Sequence, residues 1–292
     1  MSATVLKIGI PKGSLEEPTL NLFARAGWKI SMRHRNYFPE VNDVELAVRL
    51  CRPQEMPRYV DDGVLDAGLT GKDWILENNV NVHTVTDLIY SKLSNRPARW
   101  VLAVAGDSPY QKPEDLAGKR VATELMGITE RYFNERGIPV KVEYSWGATE
   151  AKVVEGLADA IVEVTETGTT IRAHGLRVID EVLVTNTQLI ANTLAWADPA
   201  KRRKIEQITM LLQGALRAEA LVGLKMNAPV AGLDAILAAV PALNSPTVAH
   251  LQDKNWVSLE IVVSTDVVRD LIPALVQAGA EGIIEYPLNK VV

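Results

Sequence analysis

Residues 156–176 read GLADAIVEVTETGTTIRAHGL, a pattern of strand, tight turn and helix. DAIVEV (159–164) is a short apolar run typical of a buried strand. Residues 165–170 then form a turn of threonines around Gly168, and IRAHG (171–175) begins a helix. Ligands in an open α/β sheet bind beyond the carboxyl ends of the strands, so this turn occupies a position at which a ligand is expected.

The turn combines hydroxyl groups, little bulk and two carboxylates. Its hydroxyl groups belong to Thr165, Thr167, Thr169 and Thr170. A helix N-terminus adds free N–H groups and about half a positive charge, and Gly168 lets the backbone approach an anion closely. Glu163 and Glu166 would repel a phosphate unless they bind ribose hydroxyls or Mg²⁺. The composition therefore indicates a phosphorylated sugar; the alternative is a plain turn whose threonines cap the helix.

Strands and helices alternate on both sides of this segment. TVLKIGI (4–10) predicts a buried strand, and further strands and helices follow it in turn. From Arg99 a second series begins, and residues 176–193 provide two extended stretches that could return the chain to the first series. This order predicts two mostly parallel α/β lobes. We place the first lobe at 1–94 with 187–212 and the second at 95–186.

The remainder of the chain predicts a separate small domain. DPAKRRKIEQITMLLQGALRAEA (198–220) is a strong helix pattern in which Asp198 is the cap and Pro199 the first helical residue. After it the elements follow the order β-α-β-β-α-β, which is the ferredoxin-like order. Small domains of this kind often sense metabolites, so we predict a regulatory domain at 213–292.

Basic residues lie at strand ends and near the junction of the two lobes. The candidates for binding a polyanion between the lobes are Lys12, Gly13, Arg49, Arg52, Arg96 and Arg99. The alternative is a set of solvated surface bases. Asp73, in GLTGKD (68–73), could accept a hydrogen bond from an amine or hydroxyl group, or it could cap the next helix.

Composition excludes several classes of protein. The net charge of −5 argues against a nucleic-acid-binding protein. The single cysteine, Cys51, allows no internal disulfide, which fits a reducing compartment. The N-terminus has no secretory pattern and no apolar run is long enough to span a membrane, so we expect a cytoplasmic protein without membrane contact. The four histidines have no metal-ligand spacing.

Five segments together resemble the long form of the ATP phosphoribosyltransferase family, whose reaction opens histidine biosynthesis. In chain order they read IPKGSL, LCRPQEMPRYV, GLTGKDW, the segment 156–176, and SPTV…WVSLEIVV. The resemblance runs along essentially the whole chain, and 156–176 is similar to the family's phosphoribosyl pyrophosphate loop.

The resemblance implies a two-lobed core like the type II periplasmic binding proteins, followed by a ferredoxin-like (ACT-like) domain that binds histidine as an inhibitor. It also implies a Mg²⁺-dependent homo-hexamer. ATP N1 would attack the anomeric carbon of the donor, and pyrophosphate would leave from the opposite face. Residues 163–170 would hold the donor's ribose and 5′-phosphate, while Lys12, Arg52 and Asp73 would be catalytic. The implied effector-binding residues are Asn227, Leu243, Ser245 and Thr247.

Three residues differ from the family pattern. Glu163 stands where the family often has an aspartate, so its carboxylate reaches one methylene further. Gln54 replaces a basic residue, which removes a phosphate-binding charge. Asn227 stands where an acid would meet the amino group of the inhibitor.

Two other classes of protein share parts of this pattern. A two-lobed solute-binding protein has the same lobes but normally carries an export signal and has no use for a ferredoxin-like tail. A catalytically inactive amino-acid sensor would keep all three parts. Release of pyrophosphate from ATP and phosphoribosyl pyrophosphate would exclude both.

Overall fold

The structure is a computed structural model and describes residues 5–31, 38–90, 96–240 and 246–292. The chain divides into two compact units. The larger unit comprises Met1–Asn21 and Trp28–Thr209, and the smaller comprises Leu22–Gly27 and Met210–Val292. The predicted boundary between 212 and 213 stays a prediction.

The elements follow one another in this order: β1 (Leu6–Pro11), α1 (Glu16–Ala26), β2 (Ile30–Ser31), β3 (Glu40–Val41), β4 (Leu46–Cys51), α2 (Met56–Asp61), β5 (Ala67–Gly71), α3 (Lys72–Asn78), β6 (His83–Leu88), β7 (Ala98–Ala105), β8 (Arg120–Thr123), α4 (Met126–Asn134), β9 (Lys141–Tyr144), α5 (Thr149–Val154), β10 (Ala160–Thr165), α6 (Thr169–Ala173), β11 (Leu176–Thr185), β12 (Thr187–Ala191), α7 (Thr193–Ala197), α8 (Pro199–Ala218), β13 (Leu221–Pro229), α9 (Leu233–Ala239), β14 (Thr247–His250), β15 (Trp256–Ser264), α10 (Thr265–Gln277) and β16 (Glu281–Pro287). Short 3₁₀ turns lie at Pro113–Leu116 and Val230–Gly232.

The larger unit contains two five-stranded sheets with the same topology. The first lobe has the order β4-β1-β5-β12-β6, and the second has β9-β8-β10-β7-β11. In each lobe three parallel strands are followed by an antiparallel fourth strand. In the first lobe the fourth strand is β12, which follows the crossing of the chain at Asn186. In the second lobe it is β7, which follows the crossing between β6 and β7. The expected two-lobed architecture of the type II periplasmic-binding-protein class is confirmed.

Apolar side chains on the strands form the cores of the lobes. In the second lobe, β7 carries Trp100, Leu102 and Val104 on one face, and these pack with Phe133 of α4. The opposite face, including Val101, packs with residues of α5 and α6. A sheet covered on both faces needs strands that are nearly continuously apolar, which explains the sequence of β7.

The segment 156–176 has the predicted elements with slightly different bounds. Strand β10 extends one residue further than expected and ends at Thr165, and α6 begins at Thr169, two residues earlier than predicted. The strong helix pattern forms α8. Its cap is confirmed, because Asp198 Oδ1 accepts the backbone N–H groups of Ala200 and Lys201 at 2.8 and 3.1 Å.

The smaller unit contains a four-stranded antiparallel sheet with the order β14-β15-β13-β16. Helices α9 and α10 supply Ile236, Leu271 and Leu275 to the core against β13 and β15. The order β-α-β-β-α-β confirms the ferredoxin-like prediction for this part of the chain.

Candidate functional site

A cleft of about 430 Å³ lies between the two lobes of the larger unit. Both lobes and both crossings contribute to its wall: Gln54 and Asp73 belong to the first lobe, Trp100 and Glu124 to the second, and Asn186 to a crossing. The cleft also brings together several residues predicted from the sequence: Asp73, Arg96, Thr165, Glu166, Thr167 and Thr170.

The loop between β10 and α6 is held by hydrogen bonds among its own residues. The Thr165 hydroxyl is buried and accepts the Gly168 N–H at 2.8 Å. The hydroxyls of Thr167 and Thr169 lie 2.8 Å apart, and both side chains are exposed. Arg172 closes the loop by donating to the Thr167 carbonyl at 3.0 Å. The loop is therefore preformed, with hydroxyl groups on its exposed side.

Gly168 is required by the backbone of this loop. Its φ is +73°, the left-handed region that side chains other than glycine rarely adopt. A Cβ at this position would also lie 2.8 Å from Arg172 Nη1. The sequence predicts glycine here because it lets an anion approach the backbone. The conformation of the turn is a second reason why this position needs glycine.

Glu163 lies in β10 beside the loop. The pKa of its carboxyl group is raised to about 7, mainly by burial and also by the charges of nearby Glu150 and Glu124, against the lowering effect of the Val164 N–H and the Thr149 hydroxyl. Like-charged neighbours around a half-buried carboxylate make this spot favourable for a cation or a hydroxyl donor.

Glu124 follows β8 and reaches across the cleft. Gln54 of the first lobe donates to Glu124 Oε1 at 3.1 Å. Burial raises the pKa of Glu124, while the Gln54 hydrogen bond and the charge of Arg52 lower it. Gln54 Oε1 is buried and has no hydrogen-bond partner among the described residues, so the cleft contains an unsatisfied acceptor.

Asp73 is buried at the junction of the two lobes. Trp100 Nε1 of β7 donates to Asp73 Oδ2 at 2.6 Å, and the Trp74 N–H donates to Oδ1 at 3.0 Å. Burial raises the pKa of Asp73, and these hydrogen bonds oppose the rise. A Cβ on Gly71 would lie 2.0 Å from Asp73 Oδ1, so only glycine leaves room for the carboxylate. Asp73 therefore joins α3 to the second lobe.

The other predicted residues lie at or beyond the edge of the cleft. Lys12 and Gly13 follow β1, directly before Ser14 and Leu15 of the cleft wall. Arg52 directly precedes Pro53 and Gln54, which also line the wall. Its guanidinium lies 5.5 Å from the ring centre of Trp146 in the second lobe.

Two of the predicted arginines have contacts elsewhere. Arg49 lies 4.6 Å over the ring of Phe38 and donates to the Val48 carbonyl. Arg99 forms an ion pair with Glu181 at 3.2 Å on the surface of the second lobe. Neither belongs to the cleft wall formed by the described residues.

Sequence reasoning missed Glu124 and Trp146. Glu124 follows the carboxyl end of a parallel strand, the same position that singled out residues 165–170, so its position was a usable signal. Trp146 follows β9 in the same way, but nothing in its local sequence distinguishes it from a core aromatic residue.

The described part of the chain contains no group of three or more His, Cys, Asp or Glu side chains that could hold a metal ion. Within the same residues, no helix is both long and apolar enough to cross a membrane.

In the smaller unit, two of the predicted effector-binding residues are described. Asn227 is exposed on β13, opposite Ser258 of β15 and Glu281 of β16, and Thr247 begins β14. The other two, Leu243 and Ser245, lie outside the described residues.

The chain matches two family models and is similar to several known proteins. The family model "HisG: ATP phosphoribosyltransferase" matches residues 52–214, and "HisG, C-terminal domain" matches residues 218–290. The chain is 74% identical to an ATP phosphoribosyltransferase of Nitratidesulfovibrio vulgaris (strain DSM 19637 / Miyazaki F) over 99% of its own length and 98% of that protein. It is 68% identical to an ATP phosphoribosyltransferase of Solidesulfovibrio magneticus, again over 99% of its length and 98% of the relative.

Among solved structures, the chain is similar to the ATP phosphoribosyl transferase (HisG:HisZ) complex from Thermotoga maritima. The TM-score is 0.62 and the identity is 29%. The match covers 72% of this chain and 99% of that one.

Proposed function

The chain belongs to the ATP phosphoribosyltransferase family, and we propose that its reaction takes place in the cleft between the two lobes. The enzyme transfers the phosphoribosyl group of phosphoribosyl pyrophosphate to ATP and releases pyrophosphate, the first step of histidine biosynthesis. The observation that carries the placement is the preformed, hydroxyl-bearing loop at the carboxyl end of β10, which faces the cleft.

The 5′-phosphate of the donor would bind to the exposed side of this loop. Thr167, Thr169 and Thr170 offer hydroxyl donors there, while the buried Thr165 hydroxyl holds the loop in shape. Gly168 is buried and its N–H is bonded to Thr165, so its role is to allow the turn that presents these hydroxyls. The loop would therefore bind phosphate without first rearranging, which lowers the entropic cost of binding.

Glu163 would bind the ribose hydroxyls. With its pKa raised to about 7 by burial, its carboxyl group is partly protonated at neutral pH and can either accept from a hydroxyl group or donate to one. The longer side chain, in place of the aspartate common in the family, would place this contact one methylene further from the strand.

Mg²⁺ would bind in the same region. Glu163 is repelled by Glu124 and Glu150, and a bound cation would relieve this repulsion. Mg²⁺ commonly binds through one or two carboxylates together with substrate phosphates, so such a site needs no larger cluster of protein ligands. Bound there, it would share in neutralising the departing pyrophosphate. Glu163 and Glu124 are the carboxylates that would hold it.

The transfer itself needs alignment and charge neutralisation rather than a covalent nucleophile. N1 of ATP forms a bond to the anomeric carbon while the bond from that carbon to pyrophosphate breaks, and pyrophosphate leaves with its electron pair. Arg96 in the cleft wall, Arg52 at its edge and Lys12 after β1 are the cations proposed to balance that charge. Asp73 would hold α3 against β7 next to these cations.

The assembly and its regulation are proposed from the family resemblance. The smaller unit would bind histidine, and the chain would form a homo-hexamer. Light scattering coupled to size-exclusion chromatography measures the assembly directly: about six times the 32.0 kDa chain mass supports the hexamer, and any other mass contradicts it.

Replacing Thr167 by valine tests the placement of the donor. The substitution keeps the shape of the side chain and removes its hydroxyl, so the KM for phosphoribosyl pyrophosphate should rise about 10- to 100-fold, the effect of one hydrogen bond to a charged group. Thr209→Val is the matched control, since that hydroxyl donates to the Ile205 carbonyl within α8. Equal donor KM values in both variants would show that the loop does not bind the donor.

A further inference from the structure

Trp146 is a large aromatic side chain that the proposed function leaves without a role. It is 64% exposed, which is unusual for a tryptophan. It follows β9, which is parallel to β8, and β8 is parallel to β10. Trp146 therefore lies at the same edge of the second sheet as the loop at 165–170.

Trp146 is not among the described residues that line the cleft, but its ring contacts Arg52, which directly precedes two of them. The Arg52 guanidinium of the first lobe lies 5.5 Å from the ring centre, and the two residues after Arg52 belong to the cleft wall. On the other side, Ser145 donates to the Thr149 hydroxyl at 3.0 Å, and Thr149 in turn bonds to Glu163. Trp146 thus adjoins a proposed pyrophosphate-binding arginine and directly follows Ser145, which is linked through Thr149 to the proposed ribose-binding carboxylate.

The loop that carries Trp146 is held in place by a buried residue on each side. Ser145 and Thr149 are 1% and 2% exposed, so the two residues that bracket the loop are fixed in the core. Between them, Gly147 and Ala148 both have positive φ, +73° and +50°. For alanine this conformation costs free energy, which the anchors on either side offset. The backbone therefore turns sharply and leaves the indole in solvent.

We propose that Trp146 is the stacking surface for the adenine base of ATP. This inference rests on the proposed function of the cleft. Arg52 covers part of the ring, and the exposed remainder presents a flat π surface to a purine. Base stacking on aromatic side chains stabilises complexes and fixes the plane of the base. A base held in this plane keeps its edge, and with it the ring nitrogen N1, uncovered for reaction with the donor. Trp146 is thus a positioning residue, and it takes no part in bond making.

The test compares substrates with and without a base. Trp146→Ala should raise the KM for ATP about 10-fold, within the range found when stacked aromatic side chains are removed. The KM for phosphoribosyl pyrophosphate should change less than twofold. Inorganic tripolyphosphate, which has the phosphates but no base, should inhibit the wild type and the variant with the same inhibition constant. Trp146→Phe, which keeps a stacking ring, should stay within about threefold of the wild-type KM for ATP.

Tyr144→Ala is the matched control, because Tyr144 is a similarly exposed aromatic residue (61%) two positions earlier. It should leave the KM for ATP unchanged. An unchanged KM for ATP in Trp146→Ala overturns the inference. So does an equal loss in Tyr144→Ala, or a parallel loss of tripolyphosphate inhibition, because either would show a general disturbance of the site. Failure of the Thr167→Val test would instead contradict the proposed placement of the donor.

Discussion

The Glu77 carboxylate of the first lobe accepts the backbone N–H of Gly127 in the second lobe, with oxygen and nitrogen 2.8 Å apart. Its other oxygen accepts the Ile128 N–H, also at 2.8 Å. One side chain of α3 therefore satisfies two free N–H groups in the first turn of α4, where the helix dipole also favours a negative charge. Arg131 of α4 returns a hydrogen bond to the Leu76 carbonyl at 3.0 Å.

Removal of this link should destabilise the larger unit. Glu77→Ala should lower the free energy of unfolding by about 1–2 kcal/mol, because two N–H groups of α4 lose their acceptor. Urea-induced unfolding at pH 7 measures the change. Glu130→Ala is the control, since Glu130 is exposed on the same helix and should cost less than about 0.5 kcal/mol. Equal midpoints for the two variants would mean that the Glu77 link contributes no stability.

The pH dependence of stability should report Glu163. Its pKa is raised by burial from 4.5 to about 7 in the folded protein. Below the lower value both states carry the proton. Between the two values the unfolded chain loses its proton first, so this carboxyl group lowers stability as pH rises, and the loss is complete above the upper value.

Glu163→Gln removes this titration. Relative to the wild type, the variant should gain stability between pH 4.5 and 8, by about 2 kcal/mol once partial exposure of the group is allowed for. Glu150→Gln should give a smaller change in the same direction, because the charge of Glu150 raises the pKa of Glu163. Unfolding curves at pH 5 and pH 8 measure both. Parallel pH profiles for Glu163→Gln and the wild type would contradict the assigned pKa.

Histidine feedback should respond to Asn227 if the smaller unit binds the inhibitor. Asn227→Asp should lower the histidine concentration that gives half-inhibition about fivefold, because a carboxylate binds an ammonium group more strongly than an amide does. The gain is expected to be modest, since Glu281 lies opposite Asn227 in the sheet and already supplies a carboxylate. Lys225→Gln, an exposed position on the same strand, is the control. Unchanged inhibition curves for Asn227→Asp would remove Asn227 from the effector site.

Local sequence patterns predicted much of this fold. The alternation of apolar strands with capped helices identified two α/β lobes, and Asp198 with Pro199 marked the start of α8. The β-α-β-β-α-β order identified the ferredoxin-like sheet. These features depend on residues close together in the chain, so a single sequence contains them.

Contacts between distant segments were not predictable. Glu77 forms a hydrogen bond with Gly127, fifty residues further along the chain, and Gln54 forms one with Glu124, seventy residues further along. The position of Arg99 near the junction of the two lobes predicts a cleft cation, yet Glu181 of β11 lies alongside and pairs with it. The local sequence predicts Asp73 as a helix cap or a polar acceptor, whereas the Trp100 indole that donates to it belongs to the other lobe and depends on the tertiary fold.

The most direct measurement of the central claim is a crystal structure of the enzyme bound to phosphoribosyl pyrophosphate. We predict that the 5′-phosphate lies within hydrogen-bond distance of the Thr167 and Thr169 hydroxyls, with the ribose against Glu163. A donor bound elsewhere, with the loop at 165–170 in contact only with solvent, would contradict the account.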